Sequence, residues 1–229
     1  MADLDLAQLF AEMATNLDQQ PTVDEALEET VRMAVEAVGS ADHAGVSWCV
    51  RRREVDTPYA TTSLVKELDR IQYELDEGPS LEAFEEGVAT LVRDTSTDER
   101  FPRYSAAALE RGVRSVLSCA LSSPRRTIGA LNFYAMHPDA FDDYGVELAK
   151  IYASHASIVL ANRSLEQDLQ VAVDTRGTIG QAMGILIERH RISPKNAFDM
   201  LVRGSQQSNM KLRDLAAHIV DTGLDPSAV

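Results

Sequence analysis

The sequence predicts an α+β domain built on an antiparallel sheet with flanking helices, followed by a long helix and a small all-helical domain. Three observations predict it. Short β-rich pieces neighbour one another between residues 44 and 135; an unbroken helical stretch runs from about Asp142; and two short, capped helices close the sequence.

Taking the elements in order, residues 1–21 are expected to form an N-terminal helical extension. In residues 22–38, TVDEALEETVRMAVEAV, the positions Val23, Ala26, Leu27, Val31, Ala34, Val35 and Val38 recur at helical spacing, acids occupy the opposite face and Gly39 follows as a stop. Five strands are expected after it: AGVSWCVRR from Ala44, DTPYATTS from Asp56, VATLVRD from Val88, RSVLSCALSS from Arg114 and RTIGALNFYA from Arg126. Ser123, Pro124 and Arg125 suit a hairpin turn between the last two. Helical pieces around Leu64 to Tyr73 and Pro102 to Arg111 interrupt the strands, and Gly78-Pro79-Ser80 opens a further helix.

From Asp142, beyond Gly145 in the first turn, no proline or glycine intervenes until Gly177, and the helix is expected to continue to His190. Ile151, His155, Ile158, Asn162, Leu165, Leu169, Ala172, Arg176, Ile179, Met183 and Leu186 follow alternating steps of four and three, the a/d pattern of a coiled coil. Asn162 falls on an a position, where a buried Asn fixes register in a parallel dimer. A helix of this length would extend nearly 70 Å at about 1.5 Å per residue, more than one small domain covers. Ile158, Asn162, Leu165 and Leu169 are therefore the expected dimerisation residues of a homodimer. Up to about residue 160, packing of the same face on the chain's own sheet is an equal alternative. Beyond it, Ser193-Pro194 gives an N-cap and a first-turn proline ahead of Ala197, Phe198, Leu201 and Val202. Asn209 is expected to cap a last helix carrying Leu212, Leu215, Ala216, Ile219 and Val220, with Gly223 ending it.

Bulk properties narrow the function. The net charge of −14 argues against a chain that coats nucleic acid indiscriminately, but the charge is uneven. Residues 176–229 hold seven Lys/Arg against five acids, whereas the remainder carries −16. Residues 176–220 alone reach +4. If any part meets a polyanion, it is the last quarter. No stretch has the roughly 18 to 20 apolar residues of a membrane span, and MADLDLAQLFAEM lacks the form of a signal peptide, so a cytoplasmic location without membrane association is expected. Cys49 and Cys119 lie on separate apolar segments without CxxC spacing or a His cluster, which speaks for buried thiols and for no metal site. Ser/His/Asp, paired-carboxylate and glycine-rich phosphate motifs are missing, so no catalytic residues and no enzyme activity are expected.

Two families are resembled at once. The tail Arg176-GTIGQAMGILIERH, then ISPKNAFDML and SQQSNMKLRDLAAHIVDTG, resembles an ANTAR domain over about 50 residues. Residues 22 to about 160 resemble a GAF domain of the kind fused to ANTAR domains in actinobacteria. The stretches that carry this are QYELDEGPS from Gln72, DTSTDERFP from Asp94, GVRSVL from Gly112 and GALNFY from Gly129, with AFD from Ala140 behind them. The resemblance implies a GAF sensory domain over 22–160, a linking and dimerising helix over 142–176 and an RNA-binding ANTAR domain over 174–225. It further implies a regulator whose dimer binds two adjacent RNA hairpins, prevents an overlapping terminator from forming, and touches RNA polymerase only indirectly through the transcript.

For the RNA face, the residue types point to Arg176, Gln181, Arg189, Lys195, Arg203, Ser205, Gln206, Asn209, Lys211 and Arg213: polar side chains that read loop bases, and cations that neutralise phosphates. Ordinary roles stand beside these, as helix C-terminal charges for Arg189, a cap for Asn209 and a solvated face for Lys211 and Arg213. The chain departs from the ANTAR pattern at Met183, where members commonly carry Lys, and at Leu201-Val202 before Arg203, where they commonly have Leu-Arg. The GAF resemblance implies a pocket for a small molecule, with no cofactor assignable; Trp48, Tyr73, Phe84 and Phe133 are candidates for its lining, with core packing as the alternative. Ser80 stands where related sensors often have cysteine, which argues against a covalent or redox role there. A ligand-sensing DNA-binding regulator, a basic three-helix tail entering a major groove, is the main rival reading. A protein-interaction module and a sulfoxide-reducing enzyme come after it.

Overall fold

The computed structural model describes residues 11–51, 54–124 and 126–225. The N-terminal extension is helical over residues 11–18 (α1); its first ten residues, and Arg125 of the expected turn, lie outside the described residues. The elements then follow as α2 (Val23–Ala37), β1 (His43–Arg51), β2 (Glu54–Ala60), α3 (Ser63–Leu75), α4 (Pro79–Glu86), β3 (Ala89–Val92), α5 (Pro102–Glu110), β4 (Ser115–Ser122), β5 (Thr127–Ala135), α6 (Asp143–His190), α7 (Pro194–Ser208) and α8 (Leu212–Thr222). All five expected strands form. They make one antiparallel sheet in the order β2-β1-β5-β4-β3.

Alternation along the strands sends side chains to two different environments. Val46, Leu117, Cys119, Leu121, Leu131 and Phe133 face α2 and the first part of α6, from which Tyr152, Ala153, Ala156 and Leu160 close the main core. The Tyr152 hydroxyl donates to the Thr30 carbonyl at 2.7 Å and so ties α6 to α2. Helix α2 begins with a capping box: Thr22 Oγ1 accepts from the Glu25 amide, and the Glu25 carboxylate accepts from the Thr22 amide. On the other face Val92, Val116 and Tyr134 meet Val65 and Leu68 of α3 and Tyr104 and Ala108 of α5.

The chain divides into two compact units, residues 1–164 and 165–229. In the second, Ala182, Leu186, Ala197, Leu201, Leu215, Ala216 and Ile219 form a three-helix core. Ser193 caps α7, its Oγ accepting from the Asn196 amide at 3.3 Å, and Gly223 ends α8 in the left-handed region at φ 70°. Asn209 does not cap α8. It is the left-handed C-cap of α7 at φ 54°, a conformation Asn tolerates better than most residues, and Lys211 holds the N-cap position of α8.

The heptad reading of α6 needs correcting at its C-terminal end. Ile151, Ile158, Leu165 and Leu169 are 41, 60, 56 and 58% exposed, so this stripe does not pack on the chain's own sheet; the neighbouring face, with Tyr152 and Ala156, does. Ile179, Met183 and Leu186 instead belong to the three-helix core. A straight helix drifts against a 3.5-residue repeat, and here the same numerical pattern passes from an exposed stripe to a buried one.

Candidate nucleic-acid interface

Helices α6, α7 and α8 of the second unit carry the residues proposed for RNA. Arg176, Gln181, Lys195, Arg203, Gln206, Asn209, Lys211 and Arg213 are all exposed. On α7, Lys195, Arg203 and Gln206 share the face opposite buried Ala197, Leu201 and Gly204. Lys211 and Arg213 stand at the start of α8, beyond the Asn209 turn. On α6, Gly177, Gly180 and Gly184 flank Gln181, and a Cβ built on any of the three meets nothing within 4 Å, so this face is smooth and open.

Three of the residues have structural partners. The Ser205 hydroxyl donates to the Met210 carbonyl at 2.6 Å and braces the α7–α8 turn. Arg189 Nη1 lies 3.1 Å from Asp225 Oδ1, and His190 Nε2 lies 2.9 Å from the same oxygen. The His190 hydrogen bond, with Arg189 beside it, holds the Asp225 carboxyl below its ordinary range. Arg213 Nε donates to Asp214 Oδ1 at 3.0 Å. Met183, where the sequence departs from the pattern it resembles, is half-buried and packs against the three-helix core.

In the first unit the four aromatics proposed to line one pocket are not brought together. Phe133 and Trp48 pack into the core under α2 and α6. Tyr73 belongs to the opposite side of the sheet, and Phe84 is half-buried on α4. Strand alternation separates them, a constraint that residue type alone does not convey.

That opposite side holds a buried polar cluster that sequence reasoning missed. Asp69 of α3 is fully buried and accepts hydrogen bonds from Tyr134 Oη, from Thr57 Oγ1 at 2.7 Å, from Asn132 Nδ2 at 3.2 Å and from Gln72 Nε2 at 3.3 Å. Burial pushes its carboxyl up to about 6 against the pull of these donors. The cluster extends through Tyr73 Oη, which donates to Ser47 Oγ at 2.5 Å, to Ser80 Oγ, 3.0 Å from Ser47 Oγ. The Ser80 amide donates to Gln72 Oε1 at 2.8 Å, and Gly78 at φ 148° is required there because a Cβ would lie 2.3 Å from that oxygen. Ser118 Oγ and Asn132 Oδ1 are buried without a protein partner, and the Tyr104 hydroxyl is buried beside Tyr134. The signal for this site is present in the sequence as polar residues inside apolar strands, Ser118 in SVLSCALS and Asn132 in TIGALNFYA. Cys49 is half-buried on β1 and Cys119 buried on β4, where burial pushes the thiol up to about 12, far from the thiolate a redox centre needs.

A five-stranded antiparallel sheet with helices on both faces, ahead of a helix that continues into a separate three-helix core, is an architecture that comparison with known proteins can identify. The GAF domain family model matches residues 20–161, more than half of the chain. The chain belongs to the GAF domain family. After the GAF domain comes an ANTAR domain, whose family model matches residues 167–220. GAF domains sense signals, and ANTAR domains are RNA-binding antitermination regulators, so the chain pairs a sensory with an RNA-directed module.

Solved structures agree on the fold of the GAF part. The GAF domain of an Acinetobacter phosphoenolpyruvate-protein phosphotransferase is 14% identical, with a TM-score of 0.55 over 71% of this chain and 97% of its own. A GAF domain from the corresponding Coxiella burnetii protein is 14% identical, with a TM-score of 0.55 over 72% and 98%. The free methionine-R-sulfoxide reductase of Neisseria meningitidis, solved in complex with its substrate, is 15% identical, with a TM-score of 0.55 over 70% and 91%. At such identities the likeness is one of fold alone. No curated protein matches the chain. Among the described residues no helix is long and apolar enough to cross a membrane.

Proposed function

We propose that this GAF-ANTAR chain is a signal-responsive antitermination regulator of the actinobacterial type, acting as a homodimer on two adjacent hairpins of a nascent transcript and preventing a terminator from forming. The observation that carries the reading is the domain order on one helix: α6 runs without a break from the sheet of the GAF domain into the core of the ANTAR domain. A change in the first domain therefore has a direct covalent route to the second. The +4 charge of residues 176–220, set in a chain of −14, supplies the attraction for phosphate, and Gln181, Gln206 and Asn209 supply groups that read bases.

Dimerisation is proposed along Ile158, Asn162, Leu165 and Leu169. Burying each of the three apolar side chains is worth about 1.5–3 kcal/mol. Two ANTAR domains held together raise affinity for a two-hairpin RNA through effective concentration. Transcription is affected through the RNA, with RNA polymerase contacted only indirectly. For the sensory step, the unpartnered Ser118 and Asn132 atoms around Asp69 favour a small polar ligand or ordered water over a bulky apolar one, since buried polar groups are normally satisfied.

The test is a fluorescence-anisotropy titration against a tandem-hairpin RNA, a single hairpin and a palindromic duplex DNA at two salt concentrations. Preference for the tandem RNA supports the reading. Tighter binding to the duplex would move the protein to the DNA-binding class, and binding to none of the three would favour a protein-interaction role.

A further inference from the structure

Beside the cationic residues of the ANTAR unit lies a notch of about 270 Å³ between α6 and α8, lined by Val171, Asp174, Thr175, Thr178, Arg213, Asp214 and Ala217. Its chemistry differs from the surface around it. Two carboxylates border it, and Thr175 and Thr178 add hydroxyls, that of Thr178 donating to the Asp174 carbonyl at 3.0 Å. One oxygen of each acid is engaged along the chain: Gln170 Nε2 donates to Asp174 Oδ1 at 2.9 Å, and Arg213 Nε to Asp214 Oδ1 at 3.0 Å. Each carboxylate has a second oxygen and further lone pairs. With Arg213 paired to Asp214, the Asp174 carboxylate still disfavours a phosphate here. A flat ring with N–H donors on its edge would be accepted, its faces against Val171 and Ala217 and its edge toward the acids.

Location supports access. With 3.6 residues per turn, Val171 and Leu169 stand roughly 160° apart around α6, so the notch lies away from the stripe proposed to pair two copies. Sequence-specific RNA recognition works by splaying single-stranded bases and reading their edges, and a planar guanidinium such as that of Arg213 adds a surface on which a ring stacks.

We infer that this notch receives one unpaired loop base carrying an exocyclic amino group, adenine, guanine or cytosine in preference to uracil, and that it sets the sequence preference of the domain. The inference rests on the RNA-binding reading. Asp214 and Asp174 accept the amino hydrogens, Thr178 and Thr175 complete the polar edge, and phosphate attraction falls to Lys195, Arg203, Lys211 and Arg213.

The experiment uses the full chain and a tandem-hairpin RNA selected from a pool with randomised loops, with each loop base then replaced in turn by an abasic residue and by uracil. For the wild type, one loop position loses about tenfold or more in affinity on either replacement, in line with the usual worth of a single base contact. Ala217→Leu fills the notch; it is expected to bind the selected RNA about tenfold more weakly, to become insensitive to the abasic replacement at that position, and to keep the wild-type salt slope. Asp214→Asn, at an exposed position that leaves folding intact, loses the preference over uracil. If the acid merely repels RNA, Asp214→Asn tightens every RNA equally, and that overturns the inference. So does an Ala217→Leu variant, folded by circular dichroism, that retains wild-type affinity and abasic sensitivity. Failure of the wild type to select any RNA would overturn the RNA-binding reading itself, whereas RNA binding that is indifferent to the notch overturns only the inference.

Discussion

Asp69 has four hydrogen-bond donors and full burial, and none of its described partners is basic. Its carboxyl titrates at about 6 in the folded protein against 3.8 for the free group. A group with a raised folded pKa stabilises the fold below its unfolded value and loses that contribution as pH rises through its folded value. Stability is therefore expected to fall between about pH 4 and pH 6, by about 3 kcal/mol at 1.36 kcal/mol per unit, and to stay level above. Urea unfolding of wild type and Asp69→Asn across this range checks it: the variant's curve should be flatter there. At the RNA surface, Lys211→Ala with Arg213→Ala should weaken tandem-RNA binding and flatten its salt dependence by about 0.7 in slope for each single-strand phosphate that these cations no longer neutralise, leaving oligomeric state alone. An unchanged slope would remove these two side chains from the interface.

At the scale of elements, α6 shows what is legible in the sequence and what is not. All five strands, their antiparallel arrangement and the capped α7 follow from local signals: alternation, turn residues, Ser193 before Pro194. Asn209 defeats a local reading because an Asn that can cap an N-terminus can equally close a C-terminus, and only the three-dimensional path of the α7–α8 turn decides which. The a/d repeat misleads at Ile179, Met183 and Leu186 because spacing records that positions share a stripe and not which neighbour covers it. The Asp69 cluster is hidden because its members come from α3, α4, α5 and four strands far apart in sequence, and the polar Ser118 and Asn132 inside apolar strands do not reveal which side chains they meet. Helix α6 yields two further predictions. Asn162→Leu should change oligomer state or register, seen by light scattering and by crosslinking along the stripe; a clean dimer in unchanged register would count against its a-position role. Gly177→Ala and Gly184→Ala should each raise stability by about 0.5–1 kcal/mol, because the added Cβ meets open space and an interior glycine costs about that much. If the same variants lose RNA affinity while gaining stability, the smooth face of α6 is part of the interface.

Across the whole molecule, a single helix joins a GAF domain with a buried polar cluster to a three-helix unit that exposes Lys195, Arg203, Lys211 and Arg213. The measurement that tests its proposed role most directly is the anisotropy titration of the purified chain with tandem-hairpin RNA, single-hairpin RNA and duplex DNA at low and moderate salt. Tightest binding is expected for the tandem RNA, with a steep salt dependence that Lys211→Ala with Arg213→Ala reduces. Equal affinity for one hairpin and two, or a preference for the duplex, would contradict that role.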